Sequence, residues 1–222
     1  MKNALVIGAS RGIGFEFVRQ LLGQGWCVYA TARSEHDQAS LNALNANCLL
    51  LDVTVPSSLA GLGWTLDGVQ VDLAIYVAGV YGPNIGARDV PSQSDFDQVM
   101  HVNVLGAMQI IPVIGPMVEE SRGTFIFISS LMGSIADTQS SFGWIYRASK
   151  AALNMVVKSA AQEYPNAVFS AMNPGWVQTQ MGGSQAPTPV TESVSKMLGV
   201  MGKLTSKNTG SFVSYDQRAM HW

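Results

Sequence analysis

A chain of 222 residues with 47% hydrophobic and 13% charged residues can bury one large core and carries too little charge to stay disordered. A formal net charge of −2 gives nucleic acid or an anionic membrane no electrostatic hold, so neither is expected as a partner. Cys27 and Cys48 sit on apolar stretches without metal-ligand spacing, and His36, His101 and His221 lack such spacing too, so no metal site is expected; the cysteines read as reduced core thiols, with a disulfide as the minor alternative.

From the N-terminus, Met1-Lys2-Asn3 and the short run Ala4–Ile7 are too brief for a signal peptide. No segment approaches the roughly 20 apolar residues of a membrane span. A cytoplasmic protein is expected. Strands are predicted at Ala4–Ile7, Cys27–Thr31, Cys48–Leu51, Leu73–Val77, Thr124–Ile128, Val168–Met172 and Ser211–Ser214. Most are continuously apolar, as strands buried on both faces of a parallel sheet should be. Between them, helices are predicted at Gly12–Gln24, Ser57–Trp64, Ser94–Glu120, Trp144–Glu163 and Thr191–Met201, with Pro112 and Pro116 expected to kink or shorten the third. The alternation predicts an α/β fold: one doubly wound parallel sheet of about seven strands, helices on both faces, forming a single domain over 1–222. In such a sheet ligands bind beyond the carboxyl ends of the strands, where the winding reverses.

After the first strand, Gly8-Ala9-Ser10-Arg11-Gly12-Ile13-Gly14 opens a helix. Glycines there permit a tight turn and close approach of a pyrophosphate, and the helix N-terminus offers free N–H groups to it. Because the spacing is G-x-x-x-G-x-G, the motif gains its meaning from its place after an N-terminal strand; an ordinary strand–helix turn is the plain alternative. At the end of the second strand, where a carboxylate would grip a ribose 2′-hydroxyl, stand Ala32 and Arg33. With Arg11 in the glycine loop, two guanidiniums favour a 2′-phosphate and hence NADP(H), although Glu35 is placed to pair with Arg33. Asp52, after the third strand and beside Val53, is equally suited to an adenine amino group and to capping the helix near Pro56.

Tyr146 and Lys150 fall four apart on a helix and so share a face. A nearby ammonium, with a cationic nicotinamide, would bring the phenol from near 10 toward neutrality, a change of about 4 kcal/mol. Ser129-Ser130 closes the fifth strand, and Asn103 is a polar residue in an apolar helix, suited to structural bonding, to holding water, or to both.

Taken together, these residues and Ala78-Gly79 and Pro174-Gly175-Trp176-Val177-Gln178-Thr179 fall in order along nearly the whole chain. The chain thereby resembles the short-chain dehydrogenase/reductase family, which has a Rossmann-type domain, and its end from Tyr215-Asp216 to Trp222 resembles the small carbonyl-reductase and C-factor-like branch. The resemblance implies an Asn103–Ser130–Tyr146–Lys150 tetrad moving hydride between nicotinamide and a small carbonyl or alcohol substrate. Tyr146 would be the general acid/base and Ser130 would orient the carbonyl. Lys150 would bind the nicotinamide ribose and lower the tyrosine pKa, and Asn103 would hold a water. The cofactor would contact Gly8, Ser10, Arg11, Gly12, Ile13, Gly14, Arg33, Asp52, Val53, Ala78, Gly79, Tyr146, Lys150, Pro174 and Gly175, with Val177 and Thr179 on the carboxamide.

The family's usual Asn-Asn-Ala-Gly is replaced here by Tyr76-Val77-Ala78-Gly79, so the support of that backbone must differ. The gap from Ser130 to Tyr146 is longer than usual, which keeps Ser129 and Ser134 as rival serines. A substrate lid is expected over 180–203, with Gly182-Gly183 as hinge and Met181, Met197 and Met201 along it, methionines that read first as core filler. The stretches Val102–Ile111 and Ala148–Val157 are apolar on more than one face, predicting a homodimer or homotetramer that a charge at Val157 should disrupt. A dinucleotide-dependent sensor is the rival class of function, disfavoured by the intact Tyr146/Lys150 pair. Nucleotide-sugar chemistry is disfavoured by the short region after Thr179.

Overall fold

In the computed structural model, which describes residues 1–222, seven parallel strands form one sheet in the order β3-β2-β1-β4-β5-β6-β7. They are β1 Asn3–Ile7, β2 Cys27–Ala32, β3 Asn47–Leu50, β4 Leu73–Tyr76, β5 Thr124–Ile128, β6 Val168–Asn173 and β7 Ser211–Ser214. The helices are α1 Gly12–Gly23, α2 Glu35–Asn42, α3 Pro56–Thr65, α4 Gln93–Met100, α5 Gly106–Glu120, α6 Trp144–Ala160 and α7 Val190–Met201. The first three strands wind one way from β1 and the last four wind the other, so the reversal lies between β1 and β4. A ligand crevice is expected there.

The period of two along each strand divides the core. On β1, Leu5 and Ile7 join a cluster with residues of α3, α5 and α6, whereas Ala4 and Val6 join a cluster with α1, α2 and α7. Each fully buried phenylalanine of the first cluster contributes about 1.5–3 kcal/mol. Phe125, Phe127 and Phe169 stack there in sequence, with Tyr164 on Phe169. The apolar strand segments are thus buried on both sides, as their composition predicts.

Gln93–Glu120 runs as one helix of 28 residues whose middle, His101–Leu105, is a π-turn. By length and hydropathy it could span a membrane, contrary to the expectation that no segment comes close. Its Ile110, Ile111, Ile114 and Val118 instead pack into the first core cluster. Neither proline shortens it: Pro112 and Pro116 lie on the exposed side with Met108, so the carbonyls that lose a helical partner face water.

Val157, by contrast, is fully buried in the first core cluster, so it does not belong to an exposed face of α6. On the two long helices the exposed large apolar residues are Phe96, Leu105, Met108 at 53% exposure and Met155 at 65%. Both cysteines are free thiols.

Candidate active site

Gly8 takes a left-handed φ of +88°, and a Cβ on it would lie 2.7 Å from the Ala78 amide nitrogen. Its N–H bonds the Thr31 hydroxyl at 3.0 Å, which fixes the loop to β2. A Cβ on Gly14 would run into the Gly8 carbonyl, so helix α1 can meet β1 only through glycine. Gly12, at φ +55°, faces Thr179, where a Cβ would be 3.4 Å from the threonine methyl. The phosphate-type loop after β1 and the loop after β6 therefore meet at the carboxyl edge of the sheet. No side chain caps α1 and no acidic residue occupies its first turn, which leaves its N-terminus suited to an anion. A dinucleotide pyrophosphate fits this cradle. Ser10 and Ile13 lie half-buried along it, Ile13 packing on the second core cluster.

Arg11 and Arg33 are both exposed at the adenosine end, and neither makes an ion pair; Glu35 does not engage Arg33. Asp52 neither caps α3, whose N-cap is Val55, nor stays wholly free. Its Oδ1 accepts from the Thr54 N–H and hydroxyl at 2.9 and 2.7 Å. Although burial works against ionisation, those bonds and the charge of Arg33 hold its carboxyl below the usual range. The Val53 side chain is buried against Gly106, which leaves its backbone for any adenine contact.

At the opposite end, Tyr146 and Lys150 lie buried on α6 beneath the β5 loop. Lys150 Nζ donates to the Ile128 carbonyl at 2.8 Å and stands 5.6 Å from the Tyr146 ring centre. Burial brings its pKa down to about 8. Burial likewise pushes Tyr146 up to about 12, with a hydrogen bond to Ser130 working the other way and the nearby Tyr81 phenol adding to the rise. Lys150 is not among the groups that shift the phenol, its ammonium being directed at the Ile128 carbonyl.

Of the three serines, Ser130 alone bears on Tyr146. Its hydroxyl also accepts the Met132 N–H at 3.1 Å and so caps the short 3₁₀ turn Leu131–Gly133. Gly133 lets that turn lie against α6, since a Cβ there would be 2.8 Å from Lys150 Cβ. Ser129 instead donates to Asn154 Oδ1 at 2.6 Å, and Ser134 closes a turn with Asp137. The longer segment from 134 to 143 ends where Gly143, at φ +67°, donates to the Ile85 carbonyl at 2.9 Å.

Asn103 is fully buried in the π-turn. Its Oδ1 accepts from Val80 N–H at 2.8 Å, and its Nδ2 donates to the Val80 carbonyl and Ser149 hydroxyl, both at 2.9 Å. The side chain thus bonds protein partners, the structural role anticipated for it. Gly79 fits beside it: a Cβ would stand 3.3 Å from Asn103 Oδ1 and 3.6 Å from Lys150 Nζ. Tyr76, standing in place of an asparagine, reaches the Val102 carbonyl at 2.7 Å and so braces the same π-turn.

After β6, Pro174 is buried, its carbonyl accepting from Ser193 at 2.7 Å, and Gly175 takes φ +80° over the Tyr215 ring. Val177 is buried and pairs with Thr188 in an isolated bridge. Thr179 accepts the Gly182 N–H at 3.0 Å, and a Cβ on Gly182 would strike the Val177 carbonyl; this pair of glycines closes a turn and leaves little room for a hinge at 182. Within the expected lid, α7 is a core helix whose Met197 and Met201 are buried, leaving 180–189 as the loop over the crevice and Met181 exposed.

Two site residues were not anticipated from the sequence. Tyr81 lays its ring on Tyr146 with centres 4.8 Å apart. Asn173 bonds two loops at once. Both stand at carboxyl ends of strands, which is the only signal that marked them.

A glycine cradle at the winding reversal, facing a buried tyrosine–lysine pair with a serine beside the phenol, defines a nicotinamide-dependent oxidoreductase site. Residues 2–189 match the model of the short chain dehydrogenase family, and the chain belongs to that family. It is 34% identical over 155 residues to C-signal of Myxococcus xanthus, covering 68% of this chain and 93% of that one. Among solved structures it is similar over all of both chains to carbonyl reductase Sniffer of D. melanogaster, with a TM-score of 0.93 and 27% identity. A carbonyl reductase of Pseudomonas aeruginosa PAO1 in complex with NADP matches over the same full extent, with a TM-score of 0.87 and 30% identity.

Proposed function

We propose that the chain is an NADP(H)-dependent carbonyl reductase working on small substrates. The observation that carries this reading is the buried Tyr146–Lys150 pair on α6, the Lys150 Nζ 5.6 Å from the Tyr146 ring centre, at the same carboxyl edge of the sheet as the Gly8–Gly14 cradle. The exposed, unpaired Arg11 and Arg33 support the 2′-phosphorylated cofactor, as does the NADP held by the Pseudomonas relative.

Held by the Gly8–Gly14 cradle with Val177 and Thr179, a reduced nicotinamide cofactor would supply the hydride for carbonyl reduction. Ser130 donates a hydrogen bond to the carbonyl oxygen, and Tyr146 gives that oxygen its proton as negative charge develops there. A phenol held at about 12 stays protonated at neutral pH, the form a reduction requires. Lys150 keeps donors beyond the one spent on Ile128, available for the nicotinamide ribose and for the phenolate left by proton transfer. Val177 and Thr179 flank the carboxamide position, and Asn103 acts by holding the Val80 backbone beside the site.

We further assign Leu105, Met108 and Met155 to an interface between two copies of the chain, forming a homodimer or homotetramer, since water is a poor partner for this apolar surface. One observation favours a second reading: the Myxococcus relative bears the name of a signal, and a protein that binds the cofactor with little turnover would suit that name. Turnover of NADPH and NADH with a panel of aldehydes, ketones and diketones separates the two. Carbonyl-dependent oxidation of NADPH supports the reductase; tight NADPH binding with no oxidation across the panel supports the signalling protein.

A further inference from the structure

At the end of β6, Asn173 is 6% exposed and its carboxamide joins three segments. Its Oδ1 accepts the Leu131 N–H at 3.2 Å and the Gly175 N–H at 3.2 Å. Its Nδ2 donates to the Ser214 hydroxyl at 3.3 Å. Leu131 follows Ser130, which caps the short turn lying against α6, and Gly175 opens the turn that leads to Val177 and Thr179. One oxygen therefore ties the loop carrying Ser130 to the loop on the nicotinamide side. The same turn is held from beyond by α7, through Ser193 on the Pro174 carbonyl at 2.7 Å.

Resting on the reductase reading above, we propose that Asn173 is a positioning residue that sets the spacing between the Ser130 hydroxyl and the nicotinamide-binding turn. Hydride transfer is sensitive to that spacing, because a displacement of about 1 Å can cost about 100-fold in rate. Cofactor affinity is not, since it draws on the distant phosphate and adenosine contacts. The acceptor oxygen carries the function; the amide nitrogen only anchors the side chain to β7.

The test compares Asn173→Leu, Asn173→Asp and Ser214→Ala with the native protein, using a carbonyl that the native chain reduces and both NADPH and its 4-deuterated form. NADPH binding is read from quenching of protein fluorescence. Leucine removes both acceptor bonds at similar volume, aspartate keeps an acceptor oxygen, and Ser214→Ala removes the bond to nitrogen, along with the hydroxyl beside Asp216, while leaving both acceptor bonds in place. The expected result is a fall in kcat of about 10- to 100-fold for Asn173→Leu, with a larger deuterium isotope effect and NADPH affinity within about 3-fold of native. Asn173→Asp should recover most of kcat, and Ser214→Ala should stay near native. The inference is overturned if folded Asn173→Leu matches native kcat, if the aspartate is as impaired as the leucine, or if Ser214→Ala loses as much as Asn173→Leu. Should Asn173→Leu not fold, the Asn173→Asp and Ser214→Ala pair decides: native-like kcat in both supports the acceptor role, and a loss in either overturns it. A native chain without turnover on any carbonyl would count against the reductase reading itself, separately from these outcomes.

Discussion

Replacing Lys150 by methionine should make the ligand-free protein more stable at neutral pH while removing its activity. The lysine is 4% exposed, and burial lowers its pKa from 10.5 to about 8. At about 1.4 kcal/mol per pH unit, keeping it charged at pH 7 costs the fold about 3 kcal/mol. Methionine avoids that charge, fills similar volume, and forfeits the bond to the Ile128 carbonyl, worth about 1 kcal/mol for a neutral donor. The net gain is about 2 kcal/mol, or roughly 4–8 °C in Tm for a chain of this size. The sign with pH follows from the lowered folded-state value. Between about 8 and 10.5 the unfolded chain binds a proton that the folded chain has released, so native stability rises across this window. The methionine's advantage is therefore full at pH 7 and gone near pH 10. Thermal unfolding followed by circular dichroism, without cofactor, at both pH values checks this. A Lys150→Met protein less stable than native at pH 7, or an advantage that grows toward pH 10, would refute the claim that the fold bears a desolvated ammonium.

Arg33→Ala should weaken NADPH binding by about 10- to 100-fold and leave NADH within a few-fold, measured by fluorescence titration; equal losses would exclude a 2′-phosphate contact. Met155→Glu, rather than a change at the buried Val157, should lower the mass seen by light scattering at micromolar concentration from at least a dimer toward a monomer. A native monomer would remove the assigned interface.

The doubly wound sheet was legible because seven short apolar runs alternate with helical stretches, and the ends of β5 and β7 fall where those runs end. Helix α2 was not. It is short and polar and buries only Leu41, so no apolar stripe announces it; Ser34, which accepts the Asp37 N–H, was its one sequence signal. The π-turn escaped for a different reason. Its cause lies in tertiary bonds, Asn103 to Val80 and Tyr76 to Val102, which no local pattern contains. The proposed tetrad came from the family resemblance, which says nothing of the residues' charge states in this chain. Desolvation of Tyr146 and Lys150 depends on how deeply α6 seats beneath the β5 loop, and spacing along a helix is silent on depth. Periodicity failed at Val157 in the same way, since it counts apolar residues without saying which side the sheet occupies.

The proposed reduction turns on the Tyr146 hydroxyl delivering the proton to the carbonyl oxygen. Its most direct test is single-turnover oxidation of bound NADPH by a carbonyl substrate in native and Tyr146→Phe proteins, with NADPH affinity measured alongside. Phenylalanine keeps the ring on Tyr81 and deletes one hydroxyl. The predicted result is a rate lower by about 10²- to 10⁴-fold with NADPH affinity nearly unchanged. A Tyr146→Phe protein that oxidises NADPH at the native rate would contradict the claim.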